Sequence, residues 1–104
     1  MSVRVQVPPR VLVEEQIFTV MYYVYILKSL KRDRYYIGYS EFPEKRLQEH
    51  NSGKVKSTRP FRPWIKVYAE KCLDELSAIR REREIKSMKS RIYIESLVAK
   101  ALAR

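Results

Sequence analysis

The chain has 104 residues, of which 45% are hydrophobic and 33% are charged, a composition typical of one globular domain and unlike that of a disordered segment. Its formal net charge of +10 favours a polyanionic partner, and nucleic acid is the commonest one. One cysteine, Cys72, and one histidine exclude an internal disulfide and a zinc site built from these residues, and they fit a reducing, cytoplasmic setting. No apolar run approaches the length of a membrane span.

The first twenty residues differ from the rest of the chain. Their two arginines and two glutamates cancel, so the whole positive excess lies in residues 21–104. Met21 stands immediately before the first clear strand pattern. We therefore expect residues 1–20 to be an N-terminal extension, either loosely ordered or forming an accessory strand. The working domain is then predicted at 21–95, with 96–104 as the end of the last helix.

Two tyrosine-rich runs follow, Tyr23-Val24-Tyr25 and Tyr36-Ile37-Gly38. Both favour β structure, and the polar residues 29–33 between them suit a turn. This pattern predicts a β-hairpin with strands at about 22–28 and 34–39 and tyrosines on both strands.

The next segments alternate between helix and strand signals. Ser40 is predicted to cap a helix that has Pro43 in its first turn, runs to Asn51 and stops at Gly53. Residues 52–63 then form a loop with two prolines, and the alternation over 64–70 predicts a third strand. Asp74 opens a helix to Met88, and Ser90 opens the last one. The predicted fold is α+β, a small three-stranded antiparallel sheet flanked by helices in the order β-β-α-β-α-α.

Glu82 lies in the apolar arc of the first long helix, between Ile79 and Ile85. A carboxylate there is costly to bury unless a cation pairs with it. One interpretation is a rim residue paired with a neighbouring lysine or arginine. The other is a metal ligand, because magnesium is held by one or two carboxylates plus waters and phosphate.

Arg46 and His50 are four residues apart and share a face of the short helix. The planar guanidinium fits two phosphate oxygens, and a histidine can position a phosphate or move a proton. Such a pair is also common on ordinary solvated faces, so both interpretations stay open.

The loop after this helix carries cations and no acid, together with aromatic rings. That mixture neutralises phosphates and offers rings for stacking. The predicted nucleic-acid contacts are Lys54, Lys56, Arg59, Arg62 and Trp64.

Taken in order, the motifs YVY and YIG, Arg46, His50 and Glu82 resemble the GIY-YIG nuclease superfamily. The strings EHNSGK and AIRREREIK add to the resemblance, which covers about residues 21–95 and is nearest to short, stand-alone bacterial members related to excision-repair and junction nucleases. It implies a three-stranded antiparallel sheet with helices, and hydrolysis of phosphodiester bonds assisted by one Mg²⁺ or Mn²⁺ ion.

By this resemblance, Tyr25 and Tyr36 are the tyrosines of the two motifs, Arg46 is the catalytic arginine and Glu82 is the metal ligand. His50 stands where the family has histidine or tyrosine. Two departures occur. Tyr23 replaces a glycine common in the first motif, and Ile92-Tyr93-Ile94 fill a stretch where several members carry an asparagine.

The expected function is therefore a DNA endonuclease of repair or processing, with DNA a more probable substrate than RNA and no membrane partner. Either Tyr25 or Tyr36 would take the proton of the attacking water, with its pKa lowered by nearby cations and activity rising toward alkaline pH. The alternatives are a basic module that binds nucleic acid without cutting it and an accessory subunit of a repair complex.

Overall fold

The computed structural model describes residues 10–13 and 16–103, and it describes side chains from Val20 onward. A 3-10 helix at Arg59–Phe61 lies in the loop before the last strand. The remaining elements, in chain order, are β1 (Arg10–Val13), β2 (Gln16–Thr19), β3 (Tyr22–Ser29), β4 (Tyr35–Ser40), α1 (Pro43–Ser52), β5 (Trp64–Cys72), α2 (Glu75–Ser87) and α3 (Arg91–Leu102).

The main sheet has three antiparallel strands, as the sequence predicted, and the strands lie in the order β4-β3-β5. Strand β3 is central, so its side chains alternate between two covered faces. In the register, Tyr25 pairs with Gly38 and Leu27 pairs with Tyr36. The tyrosine motifs therefore lie on neighbouring strands and on one face of the sheet.

Helices cover both faces of this sheet. On one face, α2 and α3 pack on the side of β3 that carries Val24 and Ile26, with Ala78, Ile85 and Leu97 as the buried helix residues. On the other face lies a smaller apolar cluster around Tyr25, Leu27 and Trp64, which Leu47 of α1 and Phe61 complete. The α+β class and the element order of the domain are confirmed.

The helix ends follow local rules, with one correction. Asp74 and Ser90 cap α2 and α3 by accepting backbone N–H groups, and Gly53 ends α1 with φ of 88°, a conformation that favours glycine. The prediction that Ser40 caps α1 is wrong. Phe42 occupies the cap position, and the Ser40 hydroxyl accepts the N–H of Phe42 instead.

Strands β1 and β2 pair with each other and form a separate two-stranded sheet. Within the described residues they add no strand to the main sheet. Residues 1–9 and 14–15 of the predicted extension lie outside the described residues. The boundary at residue 21 stays a prediction.

Among the helices of the described residues, none is both long enough and apolar enough to cross a membrane.

Candidate active site

The site begins with the close approach of Tyr25 to Gly38. Tyr25 is 1% exposed, and its hydroxyl lies only 2.7 Å from the point where a Cβ on Gly38 would be. The missing side chain therefore makes room for the Tyr25 ring to lie over β4. Because β4 is an edge strand, this ring reaches the edge of the sheet.

Tyr36 and His50 complete an aromatic cluster around Tyr25. The Tyr36 ring lies 6.4 Å from the Tyr25 ring and 4.6 Å from the His50 imidazole, measured between centroids. The two motif tyrosines are thus neighbours across β3 and β4, with a helix residue packed against them. The structure brings these three predicted site residues together.

Arg46 links helix α1 to this cluster. Its guanidinium lies against the Tyr25 hydroxyl and also pairs with Glu49, one turn further along the helix. Burial raises the pKa of Tyr25 above its usual value of 10.0, and the Arg46 charge opposes that rise without cancelling it. Arg46 therefore acts in the expected direction, but burial outweighs it, and the expected net lowering of the Tyr25 pKa is wrong for the free protein.

His50 is fully buried, which the sequence did not indicate. Its Nδ1 lies 2.8 Å from Thr58 Oγ1, and its Nε2 is buried with no hydrogen-bond partner among the described residues. Burial and the nearby Arg46 charge both lower the pKa of His50 below 6.5, so the imidazole is neutral at pH 7.

Glu82 comes from α2, in the helix layer on the other face of the sheet. Its side chain is 17% exposed and lies 3.4 Å from Lys86 Nζ. Its negative charge is one of the causes that raise the pKa of Tyr25, so it acts on that hydroxyl from the other helix layer. The pairing with Lys86 agrees with the first interpretation of Glu82, and its partial exposure leaves the carboxylate accessible to a metal ion, as the second interpretation requires.

Glu82 is suited to a metal site in which the protein supplies one carboxylate and water and phosphate supply the other ligands. Within residues 10–13 and 16–103, no three His, Cys, Asp or Glu side chains cluster as a metal cage would require. Magnesium, however, is commonly held by one or two carboxylates while water and phosphate oxygens fill its remaining positions. A partly exposed lone carboxylate such as Glu82 suits that arrangement.

The predicted basic loop is exposed, with one correction. Lys54, Lys56, Arg59 and Arg62 are all exposed. Trp64, by contrast, is 3% exposed and donates its indole N–H to the Thr58 carbonyl at 3.0 Å. Its ring packs in the cluster with Tyr25 and Leu27, so it is not available to stack on a base.

A second basic segment, the β3–β4 turn, is fixed against this loop. The buried Ser29 hydroxyl donates to the Phe61 carbonyl at 2.6 Å and accepts the N–H groups of Lys31 and Arg32. The Arg34 guanidinium lies 4.4 Å from the centre of the Phe61 ring. Between the turn and the loop runs a groove of about 510 Å³ lined by Lys31, Asn51, Arg59, Pro60, Arg62 and Pro63.

Sequence reasoning missed three residues that shape the site. Asn51 exchanges two hydrogen bonds with the backbone of Trp64 and so joins α1 to β5. Glu49 pairs with Arg46, and Thr58 binds His50. Only Glu49 had a usable signal, since acid and base three residues apart on a helix are neighbours.

Replacing Gly38 by alanine should destabilise the protein by about 1–3 kcal/mol, because the new Cβ overlaps the Tyr25 ring in a packed site. Urea unfolding measures this cost. In a Tyr25→Phe background the same substitution should cost less, since the nearest overlapping atom, the hydroxyl oxygen, is gone. Equal costs in both backgrounds would contradict the proposed contact.

The free energy of unfolding should fall as the pH is lowered through about 6.5, because the unfolded chain then binds a proton on its only histidine and the folded protein does not. The slope should reach at most about 1.4 kcal/mol per pH unit and end at the lowered native pKa. Urea titrations followed by Trp64 fluorescence between pH 5.5 and 7.5 measure it. A His50→Asn variant should lack this slope, and a slope equal to that of the parent would refute the assignment.

Known proteins resemble this chain over most of the predicted domain. The sequence model of the family described as "GIY-YIG catalytic domain" matches residues 21–93. A UPF0213 protein of Staphylococcus haemolyticus is 43% identical over 67 residues, covering 64% of this chain and 80% of the relative. A UPF0213 protein of Natronomonas pharaonis is 40% identical over 79 residues, or 75% and 91% of the two chains.

No solved structure shows a significant match to the chain. The family match spans the main sheet, the three helix starts and every member of the aromatic cluster, and it agrees with the resemblance carried by the YVY and YIG motifs. This chain therefore belongs to the GIY-YIG family and carries that family's catalytic domain.

Proposed function

We propose that this protein is a metal-dependent endonuclease that hydrolyses phosphodiester bonds in DNA. One observation carries the proposal. Four of the five predicted catalytic residues, Tyr25, Tyr36, Arg46 and His50, form one contiguous cluster at the edge of the sheet, and the charge of the fifth, Glu82, reaches the Tyr25 hydroxyl. These residues come from four separate elements, so the fold alone brings them together.

Arg46 is the group that stabilises the negative charge of the reacting phosphate. Its guanidinium lies at the Tyr25 hydroxyl and is held there by Glu49, so it is oriented before substrate arrives. A fork of N–H donors fits the oxygens of a phosphoryl group, and preorganised charge of this kind stabilises a transition state strongly.

Glu82 is the residue that would hold the metal ion. When bound there, a Mg²⁺ or Mn²⁺ ion would supply Lewis acidity to the reacting phosphate. One of the two tyrosines, Tyr25 or Tyr36, accepts the proton of the attacking water in its phenolate form. For Tyr25 that form needs alkaline pH or an added positive charge, because burial raises its pKa. Both tyrosines belong to one cluster, so either can serve the same reacting phosphate.

The nucleic acid would run from this cluster toward the basic groove. Along β3, Tyr25 and Ser29 are four residues apart, a separation of about 13 Å. That distance corresponds to about four base-pair steps of duplex DNA at 3.4 Å each. Six exposed cations of the loop and the turn form no ion pair with an acidic residue in the part of the chain whose side chains are described. They are Lys31, Arg32, Lys54, Lys56, Arg59 and Arg62.

We place this activity in DNA repair or processing in the cytoplasm. The only cysteine, Cys72, is 8% exposed in the core and needs no oxidising environment. A basic module that binds without cutting is the competing function, and the next experiment separates the two.

Glu82→Gln should abolish metal-dependent cutting, with a loss of at least about 100-fold because Lewis-acid stabilisation is worth several kcal/mol. The assay uses branched, flapped and single-stranded DNA with Mg²⁺ or Mn²⁺ and compares initial nicking rates. The amide keeps the size of the side chain, so DNA affinity should be unchanged.

Glu84→Gln is the matched control, since Glu84 lies on the same helix, is 60% exposed and pairs with Arg81. It should cut like the parent. If the parent and both variants bind DNA equally and none cuts any substrate, the binding-module function replaces the nuclease.

Neutralising the turn, with Lys31→Gln and Arg32→Gln together, should weaken binding of duplex DNA and lower its salt dependence. Each lost phosphate contact reduces the slope of log K against log salt by about 0.9, so the double variant should lose about 1.8. Fluorescence anisotropy without added metal measures both quantities.

Lys71→Gln with Lys100→Gln removes the same charge from two exposed residues on a different surface, beside Tyr68 and Leu97. This control should keep the slope of the parent. Equal slopes for the two double variants would show that the turn makes no specific contribution to DNA binding.

A further inference from the structure

The only histidine of the chain is joined to the basic loop by one buried hydrogen bond. His50 is 0% exposed and Thr58 is 3% exposed, and their Nδ1 and Oγ1 atoms are 2.8 Å apart. Thr58 Oγ1 also lies 3.4 Å from the carbonyl oxygen of Val55. These three residues form a short chain of polar groups that leads from the aromatic cluster into the loop.

Two neutral forms of the imidazole are compatible with these distances. If Nε2 carries the proton, Thr58 donates to Nδ1, and a buried N–H is left with no acceptor. If Nδ1 carries the proton, it donates to Thr58 Oγ1, and the hydroxyl proton of Thr58 turns toward the Val55 carbonyl. In that second form the ring N–H and the Thr58 hydroxyl proton both have acceptors, and only the lone pair on Nε2 is unpaired.

The second form is the better one on hydrogen-bond grounds. Buried donors without acceptors are rarer in proteins than acceptors with spare lone pairs, and a buried donor left unpaired costs about 1–3 kcal/mol. Both forms keep the 2.8 Å bond between His50 and Thr58. Only the Nδ1–H form also uses the Val55 carbonyl, 3.4 Å away, as the acceptor of the Thr58 hydroxyl proton, and this contact favours that form.

We propose that Thr58 is a positioning residue that holds His50 as the Nδ1–H tautomer, with Nε2 as a bare acceptor within the tyrosine cluster. Measured between ring centroids, the imidazole lies 4.6 Å from Tyr36 and 6.5 Å from Tyr25, so the ring that carries this lone pair packs against both tyrosines. The role in catalysis rests on the proposed nuclease function, whereas the tautomer itself does not.

Thr58 also gives the loop a means of acting on the site. It directly precedes Arg59, which lines the basic groove and is tied to the Gly53 carbonyl at 2.7 Å. A movement of this loop on binding DNA would reach His50 through the Thr58 hydroxyl, and no other described side chain hydrogen-bonds to the imidazole.

Two-bond ¹H–¹⁵N correlation spectra at pH 7.5 test the tautomer directly, because the chain has a single histidine. The parent should show a pyrrole-type Nδ1 and a pyridine-type Nε2. Thr58→Ser keeps the hydroxyl and should keep this pattern, whereas Thr58→Val should lose it. A pyridine-type Nδ1 in the parent, or an unchanged pattern in Thr58→Val, would overturn the proposal.

The same variants test the catalytic consequence. Thr58→Val should lower kcat for DNA nicking by about 10-fold, the size expected for the loss of one hydrogen bond, with KM little changed. Thr58→Ser should restore most of the rate. If the parent itself does not cut DNA, the nuclease function is contradicted, and the spectra alone then test the tautomer. Equal kcat for the parent and Thr58→Val would refute the positioning role.

Discussion

The close contact between Tyr25 and Gly38 is the constraint on which the rest of the site depends. A tyrosine ring buried on a central strand would normally end inside the apolar cluster. Here the neighbouring strand offers no Cβ, so the hydroxyl lies over the edge strand, where Arg46 meets it from one helix layer. The charge of Glu82 acts on it from the other layer. The absence of a side chain at Gly38 thus lets residues from both helix layers act on the same hydroxyl.

Much of the fold was predictable because its signals are local. The alternation over β3, β4 and β5 and the caps Asp74 and Ser90 depend on residues a few positions apart. The site residues followed from ordered motifs, and the structure places them close together. The predicted cap of α1 was wrong because the helix begins two residues later than Ser40 indicates, with Phe42 at the cap position and Pro43 as the first helical residue.

The wrong predictions for Trp64 and for the Tyr25 pKa share a physical cause, which is burial by residues distant in the sequence. Trp64 follows a proline-rich basic loop and looked exposed, yet Asn51, thirteen residues earlier, fixes its backbone. Its ring is covered by Tyr25 and Leu27. The Tyr25 pKa depends on how much of the ring is covered, which no local pattern reports. His50 and Thr58 meet across an irregular loop, so nothing in their spacing announces a contact.

The pairing of Arg46 with Glu49 has a further consequence for how the site takes up its substrate. In the free protein the Glu49 carboxylate contacts Nη1 of Arg46, one of the N–H groups that a phosphate would use. Substrate binding is then an exchange of one anion for another, so the arginine is never left uncompensated and its orientation need not be rebuilt. The exchange also weakens capture of isolated anions, because each must displace an internal competitor. A polymer held at several other points along the basic surface can do so, whereas free phosphate gains too little.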